Sequence, residues 1–340
     1  NHYLEITRSH VHQIYRELET SGKVITVDLV RKLFYGVDED SKTLLQVFRE
    51  HNEQSRKLIG KDFVSKTVQR YETTTRYLEE FIKKEYQLSD IALNNLEANF
   101  ISKFDAFLKI EKGCAQNSAI TRLKNLKKII RIALENDWIK KDPFAYYRFK
   151  PEKTDPEFLT MDEIKIILAK EFTIKRVEQV RDVFVFCIFT GLAFSDVKDL
   201  SPEHLVKDNK GELWIRKNRQ KTKIMCNIPV LPVAASILDK YKDVAECTGK
   251  LLPVLCNQRM NSYLKEIADV CGIHKNLSTH TARHSYATSI CLANGVSMEN
   301  VAKMLGHADT NVTKHYARVL DQNIFKDMQK VNSCLSELAI

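Results

Sequence analysis

Four side chains in the C-terminal part of the chain share one chemistry. His280 and Arg283 stand in the run His280-Thr281-Ala282-Arg283-His284, His307 follows in Leu305-Gly306-His307, and Tyr316 comes nine residues later. An arginine offers a planar fork of donors that matches two non-bridging oxygens of a phosphate. A histidine beside it adds a further hydrogen bond. A phenol, with an ordinary pKa of about 10, is a poor nucleophile unless cationic and hydrogen-bonding groups surround it. Together the four suit the stabilisation and attack of a phosphodiester. Taken singly they say little, since a lone histidine on a helix is usually a surface or core residue and a lone tyrosine carries no signal. The joint spacing is what is specific.

The elements that must position them can be read outward from that set. Thr279 to Leu292 has few breakers and reads as one helix. Residues three and four apart share a helix face, so His280, Arg283 and His284 project together. A second helix starts at Ser297, which has N-cap chemistry, and stops at Gly306, suited to a left-handed C-terminal position. That places His307 at a turn. Upstream, Val180 to Phe189 is apolar and reads as a core helix, and Ser201-Pro202-Glu203 opens another short helix. Leu213-Trp214-Ile215 and Met225 to Val230 are strand-like and flank the basic stretch Lys217 to Lys223. This predicts a β-hairpin or small sheet whose tip carries Arg219, Lys221 and Lys223. A basic tip is often only soluble turn chemistry.

These boxes resemble those of the tyrosine recombinases, the integrases of phages and conjugative elements. The His-x-x-Arg-His box, the Leu-Gly-His box and the tyrosine nine residues on all match. Thr190-Gly191-Leu192-Ala193-Phe194-Ser195-Asp196 resembles the first box of the family, which reads Thr-Gly-Leu-Arg with an acid three positions on, and Asp196 matches that acid. Arg219-Gln220-Lys221-Thr222 resembles the segment carrying the catalytic lysine. The resemblance implies that Tyr316 attacks the scissile phosphate to give a 3′-phosphotyrosine and a free 5′-hydroxyl. It implies that Arg283, His280 and His307 hold the charge on phosphorus, that Lys221 protonates the departing oxygen, and that Asp196 and His284 support the site. Lys217 and Lys223 are close enough in sequence to compete with Lys221. The family places the hairpin tip in the minor groove, which makes Arg219 and Lys223 expected DNA contacts. No metal, cofactor or ATP is implied.

One departure stands out: the first arginine of the family falls at Ala193. Three explanations stay open. Another arginine fills the gap, with Arg181, Arg216 and Arg219 nearest in sequence; the site works more slowly with one arginine; or the protein binds DNA without cutting it.

Length and composition bound the rest. At 340 residues, two or three domains are expected. A net charge of +9 favours a polyanionic partner, although surface lysines alone often give such values. No apolar run is long enough for a membrane span, and the N-terminus shows no secretory signal. The eight cysteines are scattered without Cys-x-x-Cys spacing and read as reduced thiols, not a disulfide framework or zinc site. Together with the resemblance, these features imply the bacterial cytoplasm and association with the nucleoid. Ten glycines are few for this length and suit a mainly helical chain.

The fold expected is mainly α with a small antiparallel β-sheet in the catalytic domain, preceded by a helical core-binding domain. Residues 1–60 form an N-terminal helical segment, with helices over His10 to Leu18 and Thr26 to Phe34. The chain opens without an initiator Met and reads as a piece of a longer protein, in which the arm-binding domain of related integrases is truncated or missing. Residues 61–150 form the helical DNA-binding domain, with helical patterns over Ser65 to Lys84, Ile91 to Ile110 and Asn117 to Asn136. The last has an apolar stripe and the cations Arg122, Lys124, Lys127, Lys128 and Arg131. Such a charge run is as often a solvated face as a helix laid along a DNA backbone, where phosphate neutralisation dominates affinity. Thr67, Arg70, Arg122, Lys124 and Lys127 are the expected contacts. Residues 151–158 are a proline-broken linker, and residues 159–340 form the catalytic domain, opening on a capping box at Thr160-Met161-Asp162-Glu163. Val319 to Leu338 is amphipathic, either packing on its own domain or, as in the family, donated to a neighbour.

The function expected is site-specific recombination of double-stranded DNA by a homo-tetramer on two sites, with accessory DNA-bending proteins as further partners. A type IB topoisomerase-like relaxing enzyme and a catalytically silent DNA-binding regulator are the alternatives.

Overall fold

The computed structural model describes residues 2–22, 25–34, 42–313, 328–329 and 331–332. The chain divides into two units, Asn1–Thr154 and Asp155–Ile340. Among the described residues it is mainly helical, with one three-stranded antiparallel sheet. No described helix is long and apolar enough to cross a membrane.

The first unit contains α1 (His2–Thr20), α2 (Val27–Phe34), α3 (Leu44–Lys57), α4 (Ser65–Tyr86), α5 (Ala98–Ile110) and α6 (Gln116–Glu135). Its core forms where four amphipathic stripes meet. Ala119, Leu123, Leu126, Ile130 and Ala133 recur at helical spacing on α6 and are buried. They join Leu78, Phe81 and Ile82 from α4, Phe100, Phe104 and Leu108 from α5, and Leu44, Leu45 and Phe48 from α3. Phe81 sits at the centre, its ring 5.2 Å from Phe100, 5.3 Å from Phe104 and 5.4 Å from Phe107. Sequence reading starts this unit at residue 61, but α3 already contributes to the core. What ties it in is distant in sequence: Asp90 accepts from the Thr43 hydroxyl at 2.6 Å and from the Leu45 and Gln46 amides at 2.9 and 3.2 Å. A remote carboxylate thus caps α3, satisfying amides that no local side chain reaches. The helical pattern over Ile91 to Ile110 breaks into a single 3₁₀ turn, Leu93–Asn95, before α5.

The second unit is built around α8 (Lys175–Thr190), whose Val180, Val183, Phe184, Phe186 and Ile188 are buried on all sides. Before it comes α7 (Met161–Ala169), opened by the Thr160–Glu163 capping box. After it come α9 (Phe194–Lys198), β1 (Leu205–Lys207), β2 (Leu213–Asn218), β3 (Met225–Pro229), α10 (Pro232–Lys240), α11 (Lys242–Thr248), α12 (Asn257–Val270), α13 (Thr279–Ser285), α14 (Met298–Met304) and α15 (Thr310–Thr313). Ile215 and Ile228 face each other across β2 and β3 and point into the α8 core, while Arg216 on the alternate face is exposed.

Two local expectations change here, and the expected small sheet gains a strand. A third strand, β1, pairs with β2; at three residues it is too short to carry a readable alternation. The helix opening at Ser201 is a single 3₁₀ turn, Pro202–His204. Thr279 to Leu292 is not one α-helix: α13 ends at Ser285, Tyr286–Cys291 widens into a π-helical segment, and a 3₁₀ turn closes at Gly295. The Ser285 hydroxyl accepts from the Leu159 amide at 2.8 Å and the Ser289 hydroxyl donates to the Leu159 carbonyl at 2.5 Å. These bonds brace the widened turn, a form that recurs at functional sites. Most of the amphipathic tail expected over Val319 to Leu338 lies outside the described residues.

Asp90→Ala is expected to lower unfolding free energy by about 2 kcal/mol, the upper range for a lost helix cap. Urea denaturation checks this, with exposed Asp62→Ala as a variant that leaves the midpoint unchanged.

Candidate active site

Ser278 caps α13 by accepting from the Thr281 amide at 3.2 Å, and so fixes the direction of His280, Arg283 and His284. Arg283 is 1% exposed. Its Nη1 donates to the Gly191 carbonyl at 2.7 Å, and its Nη2 donates to the Leu305 carbonyl at 2.6 Å and to His307 Nε2 at 3.1 Å. Both carbonyls belong to helix C-termini, those of α8 and α14. Carbonyls at that end carry partial negative charge, which offsets part of the cost of burying a guanidinium. Gly191 is required there: it has φ +66°, and a Cβ would lie 2.3 Å from the Tyr286 ring.

His307 follows α14 at the turn made by Gly306, which has φ +62°. An arginine only donates, so His307 Nε2 accepts from Arg283 and Nδ1 carries the proton. Nδ1 then donates to the Thr313 hydroxyl at 2.9 Å. His280 is exposed, its ring 4.4 Å from that of His284 and at 84° to it. Burial pushes His307 down to about 4, with the charges of Arg283 and Arg219 adding to the shift. Burial, His280 and Arg283 push His284 to about 4. His280 is lowered by desolvation and then by Arg283, Arg219 and Lys221. At neutral pH the positive charge here therefore comes from arginine and lysine, and the imidazoles are neutral hydrogen-bonding groups.

The hairpin loop between β2 and β3 reaches the same place. The Gln220 amide donates to Asp196 Oδ1 at 2.9 Å, and the Thr222 hydroxyl donates to the Gly306 carbonyl at 3.0 Å. Asp196 is 1% exposed, so its role is to hold the loop. Lys221 and Lys223 are exposed at the tip, and Lys223 has φ 59°. Lys217 is withdrawn from the site: its ammonium donates to the Asp199 carbonyl at 3.0 Å and lies 3.1 Å from His204 Nε2. Ala193 is the N-cap residue of α9 and brings no donor. Tyr316 lies outside the described residues.

The expected DNA contacts of the first unit fall into two sets. Arg122 Nη1 donates to the Arg70 carbonyl at 3.3 Å across the α4–α6 seam, and Thr67 lies one turn before Arg70 on α4. Lys124 and Lys127 lie over the Phe149 ring at 5.9 and 5.6 Å. The α6 cations therefore do not make one stripe, and Arg131 is paired with Glu135 at 3.0 Å.

Residues 43–151 match the model of the phage integrase SAM-like domain and residues 157–323 that of the phage integrase family. The chain belongs to the phage integrase family of tyrosine recombinases. The tyrosine recombinase XerD of Listeria monocytogenes serotype 4b is 26% identical over 291 residues, covering 80% of this chain and 94% of that one. XerC of Syntrophus aciditrophicus is 24% identical over 262 residues, 72% and 82% of the two chains. Among solved structures, a lambda integrase dimer bound to a COC′ core site shares the fold with a TM-score of 0.65 at 18% identity, covering 82% of this chain and 96% of that one. The Tn1549 transposon integrase in complex with a circular intermediate DNA gives 0.64 at 16%, covering 85% and 100%.

Within this tyrosine recombinase, sequence reading missed the residues that aim the boxes. The carbonyls of Gly191 and Leu305 and the Thr313 hydroxyl are such residues. A glycine directly after an apolar helix was the one available signal, as a C-cap.

The neutral histidines set a pH dependence of stability. The unfolded chain takes up protons at His284 and His307 below their ordinary value of 6.5, while the fold resists until about 4. Their contribution is present above pH 6.5 and is lost as pH falls toward 4. The urea midpoint is expected to drop across that window, and His284→Asn should make the drop shallower.

Proposed function

We propose that this recombinase cleaves and rejoins double-stranded DNA at specific sites through a phosphotyrosine on Tyr316. The observation that carries the reading is the buried Arg283, held by two helix ends and touching His307, beside a loop that presents Lys221. The guanidinium charge of Arg283 and the ring of His280 stabilise the charge on the pentacoordinate phosphorus, and His307 holds that guanidinium in place through Nε2. Donors positioned in this way each contribute about 3–4 kcal/mol to a transition state.

The Tyr316 oxygen forms the new bond to phosphorus and loses its proton to solvent. The bond from phosphorus to the 5′-oxygen breaks, and that oxygen takes a proton from Lys221. The products are a 3′-phosphotyrosine diester and a 5′-hydroxyl, and the reverse steps religate without ATP. His284 supports the site by packing edge-on against the His280 ring. Arg219 and Lys223 flank the scissile position, and Thr67, Arg70, Arg122, Lys124 and Lys127 contact DNA from the first unit. A tetramer on two sites is the working assembly. It is supported by the similarity in fold to a lambda integrase tetramer bound to a Holliday junction, with a TM-score of 0.66 at 18% identity. Acting on chromosomal DNA, the protein would work in the bacterial cytoplasm.

A nicked suicide duplex tests this. The wild-type chain is expected to form a covalent adduct that Tyr316→Phe abolishes; retention of DNA with no adduct would leave only a binding protein. Lys221→Ala is expected to slow cleavage of ordinary DNA but not of DNA with a 5′-bridging sulfur, because a thiolate leaves without a proton.

A further inference from the structure

We propose that Arg219 supplies the phosphate-binding guanidinium that the first box lacks at Ala193, entering the site from the β2–β3 loop instead of from α9. The proposal rests on the reading of Tyr316 chemistry above.

The backbone places Arg219 there by several bonds. Its amide donates to the Ile224 carbonyl at 2.9 Å and its carbonyl accepts from the Lys223 amide at 2.8 Å, which closes the loop. The amide of the next residue, Gln220, is bonded to Asp196. Asp196 is one turn after Ala193, and its own amide donates to the Ala193 carbonyl at 2.9 Å. The loop thus meets the first box within a turn of the position where an arginine is missing. On the other side, the Arg219 Cβ is 3.4 Å from where a Cβ on Gly306 would lie, so its stem runs beside the His307 turn.

The charge of Arg219 reaches both His280 and His307, the two imidazoles nearest the proposed phosphate. Its Nε is buried and makes no hydrogen bond among the described residues. No ion pair joins it to a carboxylate among the described residues; the nearby Asp196 gives its Oδ1 to the Gln220 amide, and its buried Oδ2 makes no hydrogen bond to Arg219. A half-buried guanidinium with an unused buried donor is a group that an anion would complete.

The other two arginines open to this role are elsewhere. Arg181 donates to Asp182 at 2.7 Å and to the Lys170 carbonyl at 3.1 Å. Arg216 is on the exposed face of β2, lining a cavity with Trp214 and Met225. Neither contributes charge at His280 or His307.

The full chain on a nicked suicide duplex tests this, with covalent adduct and DNA retention measured together. Arg219→Ala is expected to cut the cleavage rate by about 100-fold or more, as for other lost transition-state donors, with DNA still retained. Arg219→Lys should keep part of the rate, and Ala193→Arg added to Arg219→Ala should restore much of it. A neutral methylphosphonate at the scissile position should shrink the Arg219→Ala deficit, since there is one charge fewer to balance. A deficit of the same size on both substrates would overturn the proposal in favour of a loop-holding role, as would an Arg219→Ala rate equal to wild type. Absence of any Tyr316-dependent adduct from the wild-type chain would instead overturn the functional reading itself, and this proposal with it.

Discussion

A guanidinium in the core of the second unit is the constraint on which the rest depends. Arg283 is buried, and a buried cation is costly unless its donors are satisfied. Two helices meet that demand by ending against it, α8 at Gly191 and α14 at Leu305. Each end contributes a carbonyl that its own helix leaves unpaired. The position of Arg283 therefore follows from where two helices stop, and a side chain on Gly191 would collide with Tyr286 before it could serve that purpose.

The same contact sets the state of His307. Because Arg283 donates to Nε2, the proton sits on Nδ1 and faces Thr313. Burial and neighbouring cations then keep the ring neutral well below pH 7. A neutral imidazole can donate or accept a hydrogen bond without adding charge, so the electrostatics of the site are left to arginine and lysine. The hairpin loop completes that division. It is pinned to Asp196 on one side and to the Gly306 carbonyl on the other, which keeps its cations close to the imidazoles, with no ion pair to neutralise them among the described residues.

In the first unit, aromatic rings order the cations. Lys128 lies 5.0 Å from the centre of Tyr71 and 5.1 Å from that of Phe63, and Lys127 lies 5.6 Å from both Phe144 and Phe149. Long stems cover apolar rings while the charged heads stay at the surface. A polyanion approaching this unit meets charges whose positions are already restricted.

Much of this was legible in the amino-acid sequence. The spacing of His280, Arg283, His307 and Tyr316 named the chemistry, the apolar stripes of α4 and α6 named a helical unit, and Thr160 with Glu163 marked the start of the second. These signals are local, since helix periodicity, caps and turns are set by neighbours within a few residues. The remainder joins residues far apart in the chain. Asp90 capping α3, Ser285 and Ser289 bracing Leu159, Lys217 turned away toward Asp199, and Arg219 beside His280 and His307 leave no trace in local spacing. By itself the sequence determined the family and the kind of chemistry, and it exposed the gap at Ala193. Only the tertiary structure decided that the loop carrying Arg219 docks against Asp196 and the Gly306 turn, because that contact joins elements distant in sequence, and pattern along one element cannot encode it.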